Sequence, residues 1–404
     1  MTKKQQYRII YLITLIQAIS IIDFMLIMPL GPFLAHSLNI DPNNIGILAG
    51  SYMLAGAVIG VLVARRLDRF DRRPIMLFLL AGLAITTFLS TRCYNLTTLL
   101  SLRILAGCFG GPISAMVLAI VSDVIPEKER GKAISIVMSA MSISAIIGVP
   151  FGLFLANIGS WRTPFYLTSF LCLILFGLTT YLLPTLCDHI KNKQEMKTGF
   201  SLWAALHNKK ARLAYFCQIL NAMASFLIVP NMAIYFTLNL NFPLTGLSLL
   251  YIAAGTISFF AMQVVGRLID KGYSRIILSL FTLTWCLTLL SVFNNSLQNY
   301  WQGHLVVPVI AIMFFMMSNV SRRLVLNTLS SKVPKPHQRA GYMSLQVSCV
   351  NLAMALGAIG STFILTTSHN QINHMTDLSI LASALAIISL YGGFKLHQLL
   401  QLAS

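Results

Sequence analysis

Residues 9–35 read IIYLITLIQAISIIDFMLIMPLGPFLA. A helix needs about 20 predominantly apolar residues to cross a hydrocarbon core of about 30 Å. This stretch supplies them, broken by Gln17, Ser20 and Asp23 and then by Pro29-Leu30-Gly31-Pro32. The whole chain holds 11 Asp and Glu, and Asp23 is the one set deep inside an apolar segment. A carboxylate at the bilayer centre costs about 2.5–3.5 kcal/mol on insertion scales, so its presence points to function. The segment is too long for the apolar region of a signal peptide and has no small-x-small cleavage site after it. It therefore reads as a retained first span.

The rest of the chain has the same character. Of 404 residues, 56% are hydrophobic and 10% charged, where a soluble protein carries about 25% charged residues. Backbone polar groups in lipid must be satisfied inside the spanning segment, which leaves helices or a closed barrel. The short alternating strands of a barrel are not visible. Apolar runs separated by charged or Gly/Pro/Asn-rich breaks predict an all-α polytopic membrane protein. Its twelve spans fall near 9–35, 45–64, 75–91, 97–121, 132–157, 164–184, 212–238, 246–265, 276–293, 304–326, 341–367 and 377–398. The longest polar stretch follows the sixth span. The expected organisation is a six-helix bundle over 1–184, a cytoplasmic linker over 185–211 and a second six-helix bundle over 212–404.

The net charge of +18 is one-sided. With the N-terminus inside, 26 of the 29 Lys and Arg fall on inner segments, Arg322 and Arg323 counted among them; Arg92 and Arg162 fall outside and Arg103 within a span. The positive-inside rule then places both termini in the cytoplasm and accounts for the charge without nucleic acid. Anionic membrane lipids are the natural neighbours of that basic face. The seven Cys are scattered singly and read as small buried residues. None of the eight His pairs at metal-ligand spacing, so no metal is expected.

The two halves repeat. Gln17, Ser20 and Pro29 correspond to Gln218, Asn221 and Pro230 at an offset of 201, and Leu67-Asp68-Arg69 corresponds to Ile269-Asp270-Lys271 at 202. Two six-helix repeats about an axis along the membrane normal are the arrangement of major facilitator transporters. The chain resembles that superfamily along essentially its whole length, and within it the drug:proton antiporter branch with arabinose-efflux-type permeases. Ala64-Arg-Arg-Leu-Asp68-Arg69-Phe-Asp71-Arg72-Arg73-Pro74 is similar to the motif between the second and third helices, with Ala64 and Asp71 where the motif has glycine. Gly266-Arg-Leu-Ile-Asp270-Lys271 resembles a degenerate second copy. Arg103, Gly107 and Gly110 resemble the fourth-helix motif, and Gly148-Val-Pro150-Phe-Gly152 resembles the fifth-helix region.

The residues and the resemblance together give a set of expectations. Asp23 is expected to gain and lose the coupling proton. Helical rise places it about 18 Å from an outer end at Ala35 and Arg103 about 9 Å from an outer start at Thr97, within reach of a pair. The motif implies that Arg103 modulates proton release; the alternative for the pair is a permanent lock between the first and fourth helices. Ala224 stands at the position equivalent to Asp23, so one proton site is expected. Gln17, Ser20 and Phe24 with Gln218, Asn221 and Ser225 are expected to contact substrate, with Gln346 and Asn351 added from the eleventh helix. Interhelical hydrogen bonding is the competing account. Met-rich runs at 25–28 and 313–317 suit an adaptable apolar cavity or ordinary packing. The resemblance implies that Asp68, Arg69, Arg72, Arg73 and Asp270 latch an inner gate. Gly148, Pro150 and Gly152 make the fifth helix a weak point, either bending in the cycle or fixed.

The expected activity is export of a small amphipathic or apolar compound in exchange for protons, by alternating access. No cofactor is implied beyond the proton gradient, and a monomer is expected. A sugar, metabolite or siderophore exporter and an uncoupled facilitator stay open. An intramembrane enzyme would need facing nucleophile and base or paired metal ligands, and one Asp does not supply them.

Overall fold

A computed structural model describes residues 2–67, 71–126, 129–185, 208–334, 339–368 and 371–401. Among these residues, 12 helices are long and apolar enough to cross a membrane.

The first half opens with α1 (Lys3–Leu26), started by a capping box in which Thr2 and Gln5 satisfy each other's backbone amides. The sequence predicts one span to Ala35. Instead α1 stops at Leu26, the chain turns over 27–30, and α2 (Gly31–Leu38) follows. Pro29 and Pro32 lack amide donors and crowd the preceding turn, so the helix breaks there. Next come α3 (Ile45–Leu67), α4 (Arg72–Ser90) and α5 (Leu96–Val124). Asp71 caps α4 by accepting from the Arg73 amide at 3.1 Å. It thus serves the helix N-terminus, where the motif has a turn glycine. The fifth span is two helices, α6 (Arg130–Ile143) and α7 (Val149–Ile158), joined by a π-helical turn over Ser144–Gly148. Pro150 cannot donate and its ring crowds the carbonyl four residues back, which is Ile146 inside that widened turn. α8 (Thr163–Leu182) completes the half.

In the second half, Asn208 caps α9 (Lys209–Leu238), and α10 (Leu247–Asp270), α11 (Ser274–Val292) and the short α12 (Asn295–Trp301) follow. Then come α13 (Val306–Ser331) and α14 (Arg339–Ile364). A small antiparallel hairpin of β1 (Thr366–Ser368) and β2 (Gln371–Asn373), with Thr366 opposite Asn373, leads into α15 (Met375–Gln401). The loop count of Lys and Arg needs one correction. Arg322 and Arg323 sit within α13, and Arg322 is buried.

Contacts divide the chain into two compact units, Met1–Ile40 with Ser51–Lys197, and Asp41–Gly50 with Thr198–Ser404. Each has its own apolar core. In the first unit α1 packs on α5, α6 and α8, and α4 packs on α5 and α8. In the second, α9 packs on α13, α14 and α15, and α11 packs on α13 and α15. Counted as spans, both units pair their first helix with the fourth, fifth and sixth, and their third with the fourth and sixth. The internal repeat read from the sequence is thus a repeat of packing. Phe78, Ile85, Ile276 and Leu283 stand exposed on long helices, as lipid-facing residues do.

Candidate functional site

Asp23 lies near the end of α1 and is wholly buried. Its Oδ1 accepts a hydrogen bond from Thr87 Oγ1 at 2.8 Å, and its Oδ2 meets Arg103 Nη1 at 3.4 Å. The ion contact is single and long for a charge-assisted bond. Arg103 Nη2 donates to Ser90 Oγ at 2.9 Å. The guanidinium lies 5.1 Å from the Phe165 ring centroid and 6.0 Å from that of Tyr52, contacts that favour a desolvated cation. Tyr52 also packs on Phe24, at 5.5 Å between centroids. Five helices build this site: α1 gives the acid, α5 the base, α4 two hydroxyls, and α3 and α8 a ring each. The sequence points to Asp23 and Arg103 and misses Thr87, Ser90, Tyr52 and Phe165. Thr87 and Ser90 are three apart and share a face of α4, which was the available signal.

Gln17 Nε2 donates to Ser114 Oγ at 2.9 Å and Ser20 Oγ to the Gly110 carbonyl at 3.4 Å. Both therefore make interhelical bonds to α5, while Gln17 Oε1 has no partner among the described residues. In the second unit Asn327 of α13 is a junction. Its Oδ1 accepts from Gln218 Nε2 at 2.7 Å and from Gln346 Nε2 at 3.0 Å. Ser330 donates to Gln346 Oε1 at 2.5 Å, and the Tyr342 hydroxyl lies 3.0 Å from Ser330 Oγ. One helix turn pair away, Ser225 donates to Asn319 Oδ1 at 2.6 Å. Asn221 is buried with its Oδ1 unpartnered among the described residues. Asn351, half-buried on α14, makes no hydrogen bond to this network among the described residues. Asn319 and Asn327 are eight apart and so share a face of α13. The sequence reading of that helix attends to its methionines and passes over them.

The family model for the Major Facilitator Superfamily matches residues 13–358. The chain belongs to the Major Facilitator Superfamily. It is therefore a membrane transporter and not an enzyme. It is 24% identical over 352 residues to the MFS-type transporter MJ1560 of Methanocaldococcus jannaschii, covering 84% of this chain and 86% of that one. The match to the MFS-type transporter YceJ of Bacillus subtilis, 26% identical, spans 40% of this chain and only 41% of that protein. Multidrug resistance protein 2 of Bacillus subtilis is 32% identical over 153 residues, 37% of each chain. The crystal structure of a D-xylose-proton symporter superposes with a TM-score of 0.76 at 16% identity, covering 96% of this chain and 97% of that one; it shares the fold.

The superfamily's motif residues divide by what they touch. Arg72 Nε pairs with Asp123 Oδ2 at 3.0 Å with little exposure, joining the start of α4 to the end of α5. Arg73 Nη2 donates to the Thr180 carbonyl at the end of α8. Both arginines thus tie helix ends together within the first unit. Asp68 and Arg69 lie outside the described residues. Asp270 is exposed at the end of α10. Gly148 and Gly152 face Ile22 and Leu26 of α1, where an added Cβ would overlap those side chains. Pro150 is buried between them. The weak point of the fifth span therefore rests directly against the helix that carries Asp23.

Proposed function

We propose that the chain is a proton-coupled exporter of a small amphipathic or apolar compound, working by alternating access as a monomer in a bacterial plasma membrane with both termini cytoplasmic. One observation carries the reading. Asp23 is the only carboxylate among the described residues that is wholly buried, and each member of its pair has a neutral partner of its own. When Asp23 takes a proton, Arg103 keeps Ser90 and two aromatic faces. When Asp23 loses it, Thr87 and Arg103 receive the anion. Proton entry contributes about 2.3 kcal/mol per 100 mV of membrane potential.

Gln17 and Ser20, the amides of Gln218, Asn221, Gln346 and Asn351, the Ser225 hydroxyl and the Phe24 ring contact substrate in this reading. Asp68, Arg69, Arg72, Arg73 and Asp270 act at the inner gate, and the Gly148–Gly152 segment flexes against α1. The name of the multidrug resistance relative supports an amphipathic cargo. The amide junction at Asn327 favours a second reading, export of a sugar or other polar metabolite.

The test is a proteoliposome carrying an internal pH-sensitive dye, challenged with a panel of lipophilic cations, amphipathic acids and sugars. Wild type moves protons on addition of one amphipathic class, and Asp23→Asn does not, although it still binds that compound. Full pH-driven flux in Asp23→Asn removes the coupling scheme. Proton movement with sugars alone selects the second reading, and substrate flux without proton movement selects a facilitator.

A further inference from the structure

Three arginines are wholly buried among the described residues: Arg72, Arg103 and Arg322. The first two have carboxylates, Asp123 and Asp23. Arg322 is 1% exposed, and its Nε, Nη1 and Nη2 have no hydrogen-bond partner among the described residues. Helical rise puts it about 14 Å from the end of α13, well inside the span.

Its surroundings are rich in donors. The guanidinium lies 4.5 Å from the ring centroid of Trp285 on α11. Trp285 is fully buried, and its Nε1 is also without a partner among the described residues. Cys286 neighbours Arg322 and meets the Ser383 hydroxyl of α15. A guanidinium presents N–H groups only, and so does an indole. Stacking on Trp285 occupies one face of the guanidinium, and its in-plane fork has no partner among the described residues. Among the described residues no carboxylate bonds to it. From Asn208 to the end there are two carboxylates, Asp270 and Asp377. Asp270 is exposed at the end of α10, and Asp377 is exposed at the start of α15, 2.9 Å from His374. Arg323, half-buried on the adjacent face of α13, adds positive charge and offsets none.

We propose that Arg322 receives a carboxylate carried by the transported compound, between α11, α13 and α15. A carboxylate accepts two parallel N–H bonds from the fork and supplies the missing charge. Trp285, with Phe315 at 5.6 Å between centroids, gives an aromatic wall for the apolar body of the same molecule. The inference rests on the export of an amphipathic compound and identifies its charged end: the substrate class is a small amphipathic monocarboxylic acid.

The test uses purified full-length protein, measuring thermal stabilisation and calorimetric binding of 1-naphthoate, its neutral counterpart 1-naphthamide, and chloride. Naphthoate is expected to stabilise and bind the wild type, naphthamide at least tenfold more weakly, with chloride unable to replace it. Arg322→Gln is expected to lose naphthoate binding at least tenfold while its own melting temperature holds or rises, since it removes a charge that no described residue offsets. Arg322→Lys retains part of the affinity. Equal binding by Arg322→Gln and wild type overturns the proposal, as does chloride reproducing the full effect, or a fall in melting temperature in Arg322→Gln with naphthoate affinity intact. These are equilibrium measurements without a gradient. Naphthoate binding with no proton movement would sink the coupling scheme and leave the carboxylate site standing, and the reverse result would do the opposite.

Discussion

A hydroxyl stands beside each charge of the Asp23–Arg103 pair, Thr87 on the acid and Ser90 on the base. Removing one leaves a buried charged atom short of a partner, which costs about 1–3 kcal/mol. Thr87→Val is therefore expected to lower the melting temperature of the purified protein, and to do so much less in an Asp23→Asn background, where the charge it serves is gone. Equal losses in both backgrounds would show that Thr87 acts through packing alone. Arg103→Met strands the carboxylate and is expected to cost about 3–5 kcal/mol; adding Asp23→Asn should restore most of it, as read by chemical denaturation. Asp23 and Arg103 are legible in the sequence because a charge inside an apolar run has few innocent explanations. Thr87, Ser90, Asn319 and Asn327 are not, because hydroxyls and amides satisfy themselves on helix carbonyls anywhere in a span. Arg322 was visible but misplaced. A basic pair close to the inner end of a span reads as interface, and only the four further residues Val325, Leu326, Leu329 and Ser330 buried beyond it put it inside.

At the scale of elements, close approach between helices separates two kinds of glycine. A Cβ on Gly107 would collide with the backbone of Tyr52, which cannot move without shifting α3. On Gly148 it would meet the tip of the Ile22 side chain, which can rotate. Gly107→Ala is thus expected to cost more stability than Gly148→Ala, by about 1–3 kcal/mol as for other overpacked interiors, in paired melting curves. Because Tyr52 also shelters Arg103, proton coupling should suffer with it. The π turn ahead of Pro150 gives a further expectation. Pro150→Ala restores a donor and removes the ring, worth about 3 kcal/mol in a helix interior. The variant should melt higher and, where bending of α6 against α7 belongs to the cycle, turn over more slowly; unchanged turnover would make the kink a static one. The sequence located that weak point, since Gly and Pro punctuate any helix. It missed the break after Leu26, because apolar residues on both sides of Pro29 give no contrast in hydrophobicity.

For the whole molecule, the twelve spans and their repeat were legible because lipid imposes one period and one length on every segment. Orientation rests on charge. Taking Arg322 and Arg323 out of the loops leaves the inner segments still far richer in Lys and Arg than the outer ones, which hold Arg92 and Arg162. The two outer arginines are tied down locally. Arg162 donates to the Thr91 carbonyl at 2.8 Å and lies over Trp161 and Tyr94, and Arg92 lies over Phe88. Both thus have protein partners. In a chain with its seven cysteines replaced by serine, a membrane-impermeant maleimide added to intact cells should label Tyr94→Cys and Ser296→Cys, both exposed positions. Lys271→Cys, equally exposed, should be labelled only after the cells are opened. Labelling of Lys271→Cys from outside, with protection of the other two, would invert the topology. The protonation scheme would then have to run from the opposite side, because Asp23 lies near the end of α1 that this orientation turns outward.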